Sequence, residues 1–148
     1  MNPEVALDGV TSLFLDTPPI IYLLEGHPKY ISRVKRVLHL RKKYGILLVT
    51  SPITLAECLV HPIRFGSSDL GLGYQELITS AENTRFAPIG EREAILAARI
   101  RSEYKLPLAD SFQVAVAISS GCEAILTNDQ DLKRIQESRI IVIDDLVE

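Results

Sequence analysis

Short apolar runs alternate with stretches of helical period along the whole chain. Val10 to Leu15, Ile46 to Val49, Glu123 to Leu126 and Arg139 to Ile143 are four to six residues long, the length of buried strands. A shorter strand is expected around Arg85 to Ala87. Helices fall between them. Thr17-Pro18 and Ser51-Pro52 each put a hydroxyl at N-cap and a proline at the first helical position, where its missing N–H does no harm. Asp110 opens a helix over Ser111 to Ser120 whose Phe112, Ala115, Val116 and Ser119 share a face, and Gly121 can close it. From Tyr30 to Lys43, Ile31, Val34 and Leu38 fall on one side while Arg33, Arg36 and Lys43 gather on another. Glu91 to Tyr104 is a further amphipathic helix burying Ala94, Ile95 and Ala98. The stretch His61 to Gly73 holds Pro62, Gly66, Gly71 and Gly73 and reads as an exposed loop. This alternation predicts an α/β fold in three layers, a mostly parallel central sheet with helices on both faces. Ligands of such sheets bind outside the carboxyl ends of the strands.

The length, 148 residues, suits one domain over 1–148 that buries roughly 68–70% of the unfolded surface. An apolar fraction of 47% with 24% charged residues excludes a disordered tail or a collagen-like repeat. No apolar run is long enough to span a membrane, and Met1-Asn2-Pro3-Glu4 lacks the basic region that opens a secretory signal, so the expected compartment is the cytoplasm. Cys58 and Cys122, without CxxC spacing, read as buried thiols. Net charge is −3, unevenly spread. Seven of the sixteen basic residues lie between Gly26 and Ala56, where there is no acid, leaving nine against nineteen acids elsewhere. A locally positive surface on an acidic body suits a polyanion held beside carboxylates.

Four acids are expected at the carboxyl edge. Asp16 follows the first strand, Asp129 follows the strand ending at Leu126, Asp110 stands at a helix start, and Glu57 lies on the second turn of the helix after Ser51-Pro52. Singly, each has a plain explanation as a turn residue, a cap or a solvated helical acid. Together they repel, by about 4 kcal/mol for two unit charges at 4 Å and an effective dielectric near 20. A divalent cation relieves that repulsion, and an all-oxygen donor set favours Mg²⁺ or Mn²⁺.

The segments Leu15-Asp16-Thr17, Ser51-Pro52-Ile53-Thr54-Leu55-Ala56-Glu57, Leu108-Ala109-Asp110-Ser111-Phe112 and Thr127-Asn128-Asp129-Gln130-Asp131 resemble the motifs of PIN-domain nucleases, particularly the VapC-type toxins of toxin–antitoxin pairs. Each motif is weak singly, and their order covers nearly the whole chain. The resemblance implies a three-layer PIN-like fold and a metal-dependent endoribonuclease whose products carry a 5′-phosphate and a 3′-hydroxyl. It implies Asp16 and Asp110 as principal ligands of Mg²⁺ or Mn²⁺, Glu57 holding the ion or its water, Asp129 in the same cluster and Thr127 assisting through its hydroxyl. Asp131 competes with Asp129 for the fourth acidic position. RNA, a cognate antitoxin placing a basic side chain into the acidic pocket, and a second copy of the chain are the implied partners. Two departures stand out: Met1 to Gly9 form an extra leader, and Leu132 replaces a frequent phenylalanine.

Arg33, Arg36 and Lys43 are candidate contacts to RNA phosphates, which a solvated helix face explains equally well, and Tyr22, Tyr30 and Tyr44 are candidates for base stacking, although tyrosines near helices more often serve core or rim packing. Other chemistries lack their residues. His27, His39 and His61 show no HExxH spacing, Gly71-Leu72-Gly73 makes neither a P-loop nor a dinucleotide fingerprint, and no G-x-S-x-G elbow is present. A phosphoacceptor domain would want an acidic pair at the first strand end and a late strand-end lysine, both missing. The remaining alternative is a non-catalytic PIN-like module that docks RNA or protein.

Overall fold

The structure, a computed structural model, describes residues 1–147. Five strands, β1 (Ser12–Leu15), β2 (Leu47–Thr50), β3 (Thr84–Phe86), β4 (Ala124–Thr127) and β5 (Arg139–Val142), form one sheet in the order β3-β2-β1-β4-β5. Every pairing is parallel. Seven α-helices accompany them among the described residues: α1 (Pro3–Ala6), α2 (Thr17–Glu25), α3 (Ile31–Tyr44), α4 (Pro52–Phe65), α5 (Ser68–Thr79), α6 (Glu91–Tyr104) and α7 (Leu108–Ser119).

Alternation along β1 divides the core. Leu13 and Leu15 point to one face, packed with Ile20 of α2, Val34 of α3, Cys58 of α4 and Tyr74 of α5. Phe14 points to the other, packed with Val49, Ile125, Ile100 of α6 and Val114 of α7. Both faces are covered, which explains the near-continuous apolar runs. The expected three-layer α/β PIN-like architecture is therefore observed, with a sheet that is wholly parallel. Cys58 and Cys122 are free and buried. Among the described residues no helix is long and apolar enough to cross a membrane.

The chain builds outward from β1 through β2 to β3, then returns to set β4 on the opposite side of β1 and β5 beyond it. The strand order thus reverses between β1 and β4. That reversal opens a crevice at the carboxyl ends of these two strands.

Four local expectations change. Helix α6 buries Ala97 and Ile100, whereas Ala94, Ile95 and Ala98 are exposed. Asp16, not Thr17, is the N-cap of α2: its side chain accepts the N–H of Thr17, which becomes the first helical residue. Helix α7 begins at Leu108, behind Pro107 with its fixed φ, so Asp110 lies inside the first turn instead of capping it. The stretch 61–73 is helical except for Gly66 and Ser67, which separate α4 from α5. Gly71 and Gly73 continue α5 as helical residues, and a Cβ on either would make only ordinary contacts, 3.6 Å from Pro62 Cβ and 3.7 Å from Leu24 Cδ1. Gly66 does punctuate the chain, closing α4 at φ 68°. The Ser51 cap is as expected, its hydroxyl accepting the N–H of Thr54 at 3.2 Å.

The leader is part of the core. Ala6, Leu7 and Val10 are buried among the residues on the α2–α5 side of the sheet. Arg139 Nη1 donates to the carbonyls of Ala6 and Asp8, each at 2.7 Å, and Arg36 meets Glu4 at 2.8 Å. Leu7→Ala is therefore expected to lower unfolding stability by about 2–5 kcal/mol in urea denaturation; a change below 0.5 kcal/mol, on the order of a surface substitution, would show the leader to be peripheral.

Candidate functional site

Asp16 occupies the crevice between β1 and β4. Its backbone N–H donates to the carbonyl of Leu126, continuing the β1–β4 ladder by one residue. Its side chain is 6% exposed and accepts three hydrogen bonds. Thr17 N–H reaches Oδ1 at 2.9 Å, Gln113 Nε2 reaches Oδ1 at 3.3 Å, and Thr127 Oγ1 reaches Oδ2 at 2.8 Å. All three donors are neutral. Burial disfavours the charged carboxylate more strongly than these donors favour it, and nearby Glu57 adds repulsion, so the Asp16 carboxyl titrates above its ordinary range.

The remaining candidates surround it. Glu57, exposed on α4, accepts the hydroxyl of Thr17 at 2.6 Å, one residue from Asp16. Asp129 caps the 3₁₀ turn Gln130–Arg134 by accepting the N–H of Asp131 at 2.9 Å. Its own N–H donates to Thr127 Oγ1 at 3.1 Å, so one buried hydroxyl links Asp129 to Asp16. Asp110 reports the crowding most clearly. Its carboxyl is pushed up to about 6, first by burial and then by the charges of Asp16, Asp129, Glu57 and Asp131, in that order. All five acids from four separate segments therefore act on one neighbourhood, and Asp129 acts on Asp110 more strongly than Asp131 does. No arginine or lysine figures among the groups that shift Asp16 or Asp110.

This donor set fits a hard divalent cation in its chemistry: oxygen only, net negative, without an internal counter-charge. Among the described residues no three His, Cys or carboxylate side chains close into a ready-made cage.

Several polar residues essential to this geometry escape the sequence pattern. Ser51, Thr54 and Gln113 are buried beside Asp16 and linked to one another: Ser51 Oγ donates to Gln113 Oε1, and Gln113 Nε2 donates to Thr54 Oγ1 at 2.6 Å. Helix α7 is buried on every side from Gln113 to Ala117, so facial periodicity says little about it. A glutamine within Gln113-Val114-Ala115-Val116-Ala117 was the available clue.

The basic candidates lie elsewhere. Arg33 donates to the carbonyls of Ile143 and Asp144 at 3.3 and 3.1 Å, Arg36 pairs with Glu4, and Lys43 sits 5.6 Å over the Tyr44 ring. Helix α3 leads into β2 through Gly45, which puts Lys43 at the end of the sheet opposite the acids. Tyr22 and Tyr30 stack on each other at 4.9 Å with His27 against both rings, and Tyr22 Oη accepts from Asn128 Nδ2 at 3.0 Å. Tyr44 is half exposed.

Residues 13–138 match the PIN domain family. The chain belongs to that family. Among solved structures, it is similar to VapBC2 from Rickettsia felis, solved bound to a DNA fragment from the promoter, with a TM-score of 0.72 and 18% identity over 88% of this chain and 98% of that one. It is also similar to the VapC20 toxin of Mycobacterium tuberculosis, described as cleaving the sarcin-ricin loop, with a TM-score of 0.69 and 17% identity over 86% of this chain and 98% of that one. A toxin–antitoxin complex from Klebsiella pneumoniae gives a TM-score of 0.69 and 20% identity over 88% and 97% of the two chains. At these identities the likeness is one of fold. Comparison with curated proteins by sequence gives no match.

Asp110 titrates ordinarily near 3.8 and in the folded protein near 6, so between those values the folded state holds more protons than the unfolded one. In EDTA, stability should fall as pH rises from about 4 through about 6 and stay reduced above that. Asp110→Asn removes this cost and should stabilise the protein in EDTA at pH 7 by roughly 1–2 kcal/mol, the carboxyl's residual hydration limiting the gain. Thermal melting against pH tests this, and an Asn variant less stable than wild type at pH 7 would contradict the crowding of Asp110.

Proposed function

We propose that the chain is a VapC-type toxin: a ribonuclease that needs Mg²⁺ or Mn²⁺ and cleaves RNA phosphodiester bonds by hydrolysis. The observation that carries this is the gathering of Asp16, Glu57, Asp110 and Asp129 at the β1–β4 crevice, with neutral hydrogen-bond donors on Asp16 and no arginine or lysine among the groups acting on Asp16 or Asp110. Asp16 and Asp110 would hold the ion, with Glu57 and Asp129 completing the negative shell. When bound, such an ion supplies Lewis-acid polarisation of a phosphate oxygen and lowers the pKa of water. Asp16 contributes a carboxylate whose orientation is fixed before the ion arrives, which limits the reorganisation needed on binding. Glu57 Oε1 is engaged by Thr17, and its other oxygen can accept a proton from attacking water. Thr127 keeps Asp16 and the Asp129 backbone in register.

Under this proposal Arg33, Arg36 and Lys43 would meet RNA phosphates outside the acidic crevice, Asp131 supports the acidic cluster, the chain works in the cytoplasm, and it pairs with a cognate antitoxin and a second copy of itself. The structural relatives described as toxin–antitoxin complexes support the antitoxin as a partner.

RNA cleavage, followed on labelled oligonucleotides, should need Mg²⁺ or Mn²⁺ and stop with EDTA. Asp16→Asn and Asp110→Asn should each lower the rate by at least about 100-fold, above the 10- to 100-fold typical for partners that act on a ligand from outside. Products should carry a 5′-phosphate. Full activity in either variant would refute the assignment, and RNA binding without cleavage under both metals would favour the docking module instead.

A further inference from the structure

We infer that Gln113 is a positioning residue: its buried side-chain amide saturates Oδ1 of Asp16 and leaves Oδ2 as the oxygen that meets the cation. The inference rests on the metal-dependent function proposed above and extends it to a residue outside the acidic motifs. Gln113 follows Asp110 by three positions on α7, close to one helical turn, and is 2% exposed. A buried primary amide is costly unless its groups are paired. Here they are: Oε1 accepts from Ser51 Oγ, while Nε2 donates to Thr54 Oγ1 at 2.6 Å and to Asp16 Oδ1 at 3.3 Å.

The direction of the amide follows from its partners. Reversed, its oxygen would face a carboxylate oxygen at 3.3 Å with no proton between them, and its nitrogen would lose both acceptors. Ser51 is itself immobile, because its oxygen caps α4 by accepting the Thr54 N–H. Fixity therefore passes from the start of α4, through Gln113, to Asp16.

Pairing the buried hydroxyls of Ser51 and Thr54 explains only part of the amide's bonding. Ser51 caps α4 without help from Gln113, and the flanking Val114, Ala115, Val116 and Ala117 show that this part of α7 packs well with apolar side chains. What the amide adds is the second donor on Oδ1, which also receives the Thr17 N–H. Oδ2 receives a single donor, Thr127 Oγ1, and retains an acceptor site. The two oxygens thus differ in capacity.

The test compares the full-length wild type with Gln113→Met, which has similar volume and no donor, and Ser51→Ala, which keeps the amide and releases its anchor. Mn²⁺ binding to the RNA-free proteins is measured by calorimetry, with circular dichroism as the control for folding. Gln113→Met should weaken Mn²⁺ binding about 10- to 100-fold, Ser51→Ala should weaken it less, and KM for RNA at saturating metal should stay unchanged in both. In amide NMR of the wild type, the Gln113 side-chain pair should shift as Mg²⁺ is added. A folded Gln113→Met that binds Mn²⁺ like the wild type overturns the positioning role, and so does a wild-type Gln113 amide unmoved by Mg²⁺ under conditions where the protein binds metal; the NMR result decides if the Met variant does not fold. A wild type that binds neither ion overturns the metal-dependent function itself, and the positioning role with it.

Discussion

A carboxylate buried without a cationic partner is the constraint around which the sheet edge is arranged. Asp16 could have been neutralised by an arginine from α4 or α7, and the fold would then gain a charge-assisted pair and lose its uncompensated negative charge there. Instead it receives a backbone N–H, a threonine hydroxyl and a glutamine amide. These donors fix its direction and leave its charge uncompensated, which is why burial still raises its pKa. Asp110 extends the same logic, since the groups that act on it besides burial are all acids. Stability is given up locally, and what is retained is a concentrated negative field in a fixed place.

The topology makes this arrangement reachable. Strand order reverses between β1 and β4, so Asp16 and Thr127 leave the sheet side by side yet enter different connections, one into α2 and the other into the Gln130–Arg134 turn. Both connections begin with a cap made by an acid of the cluster. Asp16 caps α2 and Asp129 caps the 3₁₀ turn, so the cluster and the local turns share the same atoms. The plain explanation of Asp16 and Asp129 as caps is therefore compatible with the role proposed for them, since capping is what orients them.

Strands and acids were legible because their determinants are local: apolar runs of strand length, a hydroxyl before proline, an acid directly after a strand. The three-layer fold followed from their alternation. What escaped depends on partners distant in sequence. Gln113 finds Ser51 and Thr54 at the start of α4 and Asp16 at the start of α2, and no period in α7 announces it because the stretch from Gln113 to Ala117 is buried all round. Residues 61–73 misled for a related reason. Gly71 and Gly73 look like breakers in isolation, whereas packing of α5 against α4 and α2 keeps them helical, a context visible only once the neighbouring helices are in place. The leader read as an addition because Leu7 and Val10 fill their places in a core assembled from elements far along the chain.

Placement of charge bears on how a polyanion would engage this site. The basic stretch inferred from composition is real, but Lys29 and Arg33 pair with Asp144 and Arg36 with Glu4, so part of that charge secures segments near the chain's two ends to the body. The crevice itself is lined by acids. A phosphodiester approaching Asp16 and Asp110 therefore meets repulsion from the protein, on the order of kcal/mol per charge pair at close range, unless a divalent cation is present to reverse the local sign. Under the proposed function the cation consequently has two inseparable effects, attracting the substrate to the crevice and activating the bond there, and a side chain that tunes how Asp16 holds the cation tunes both.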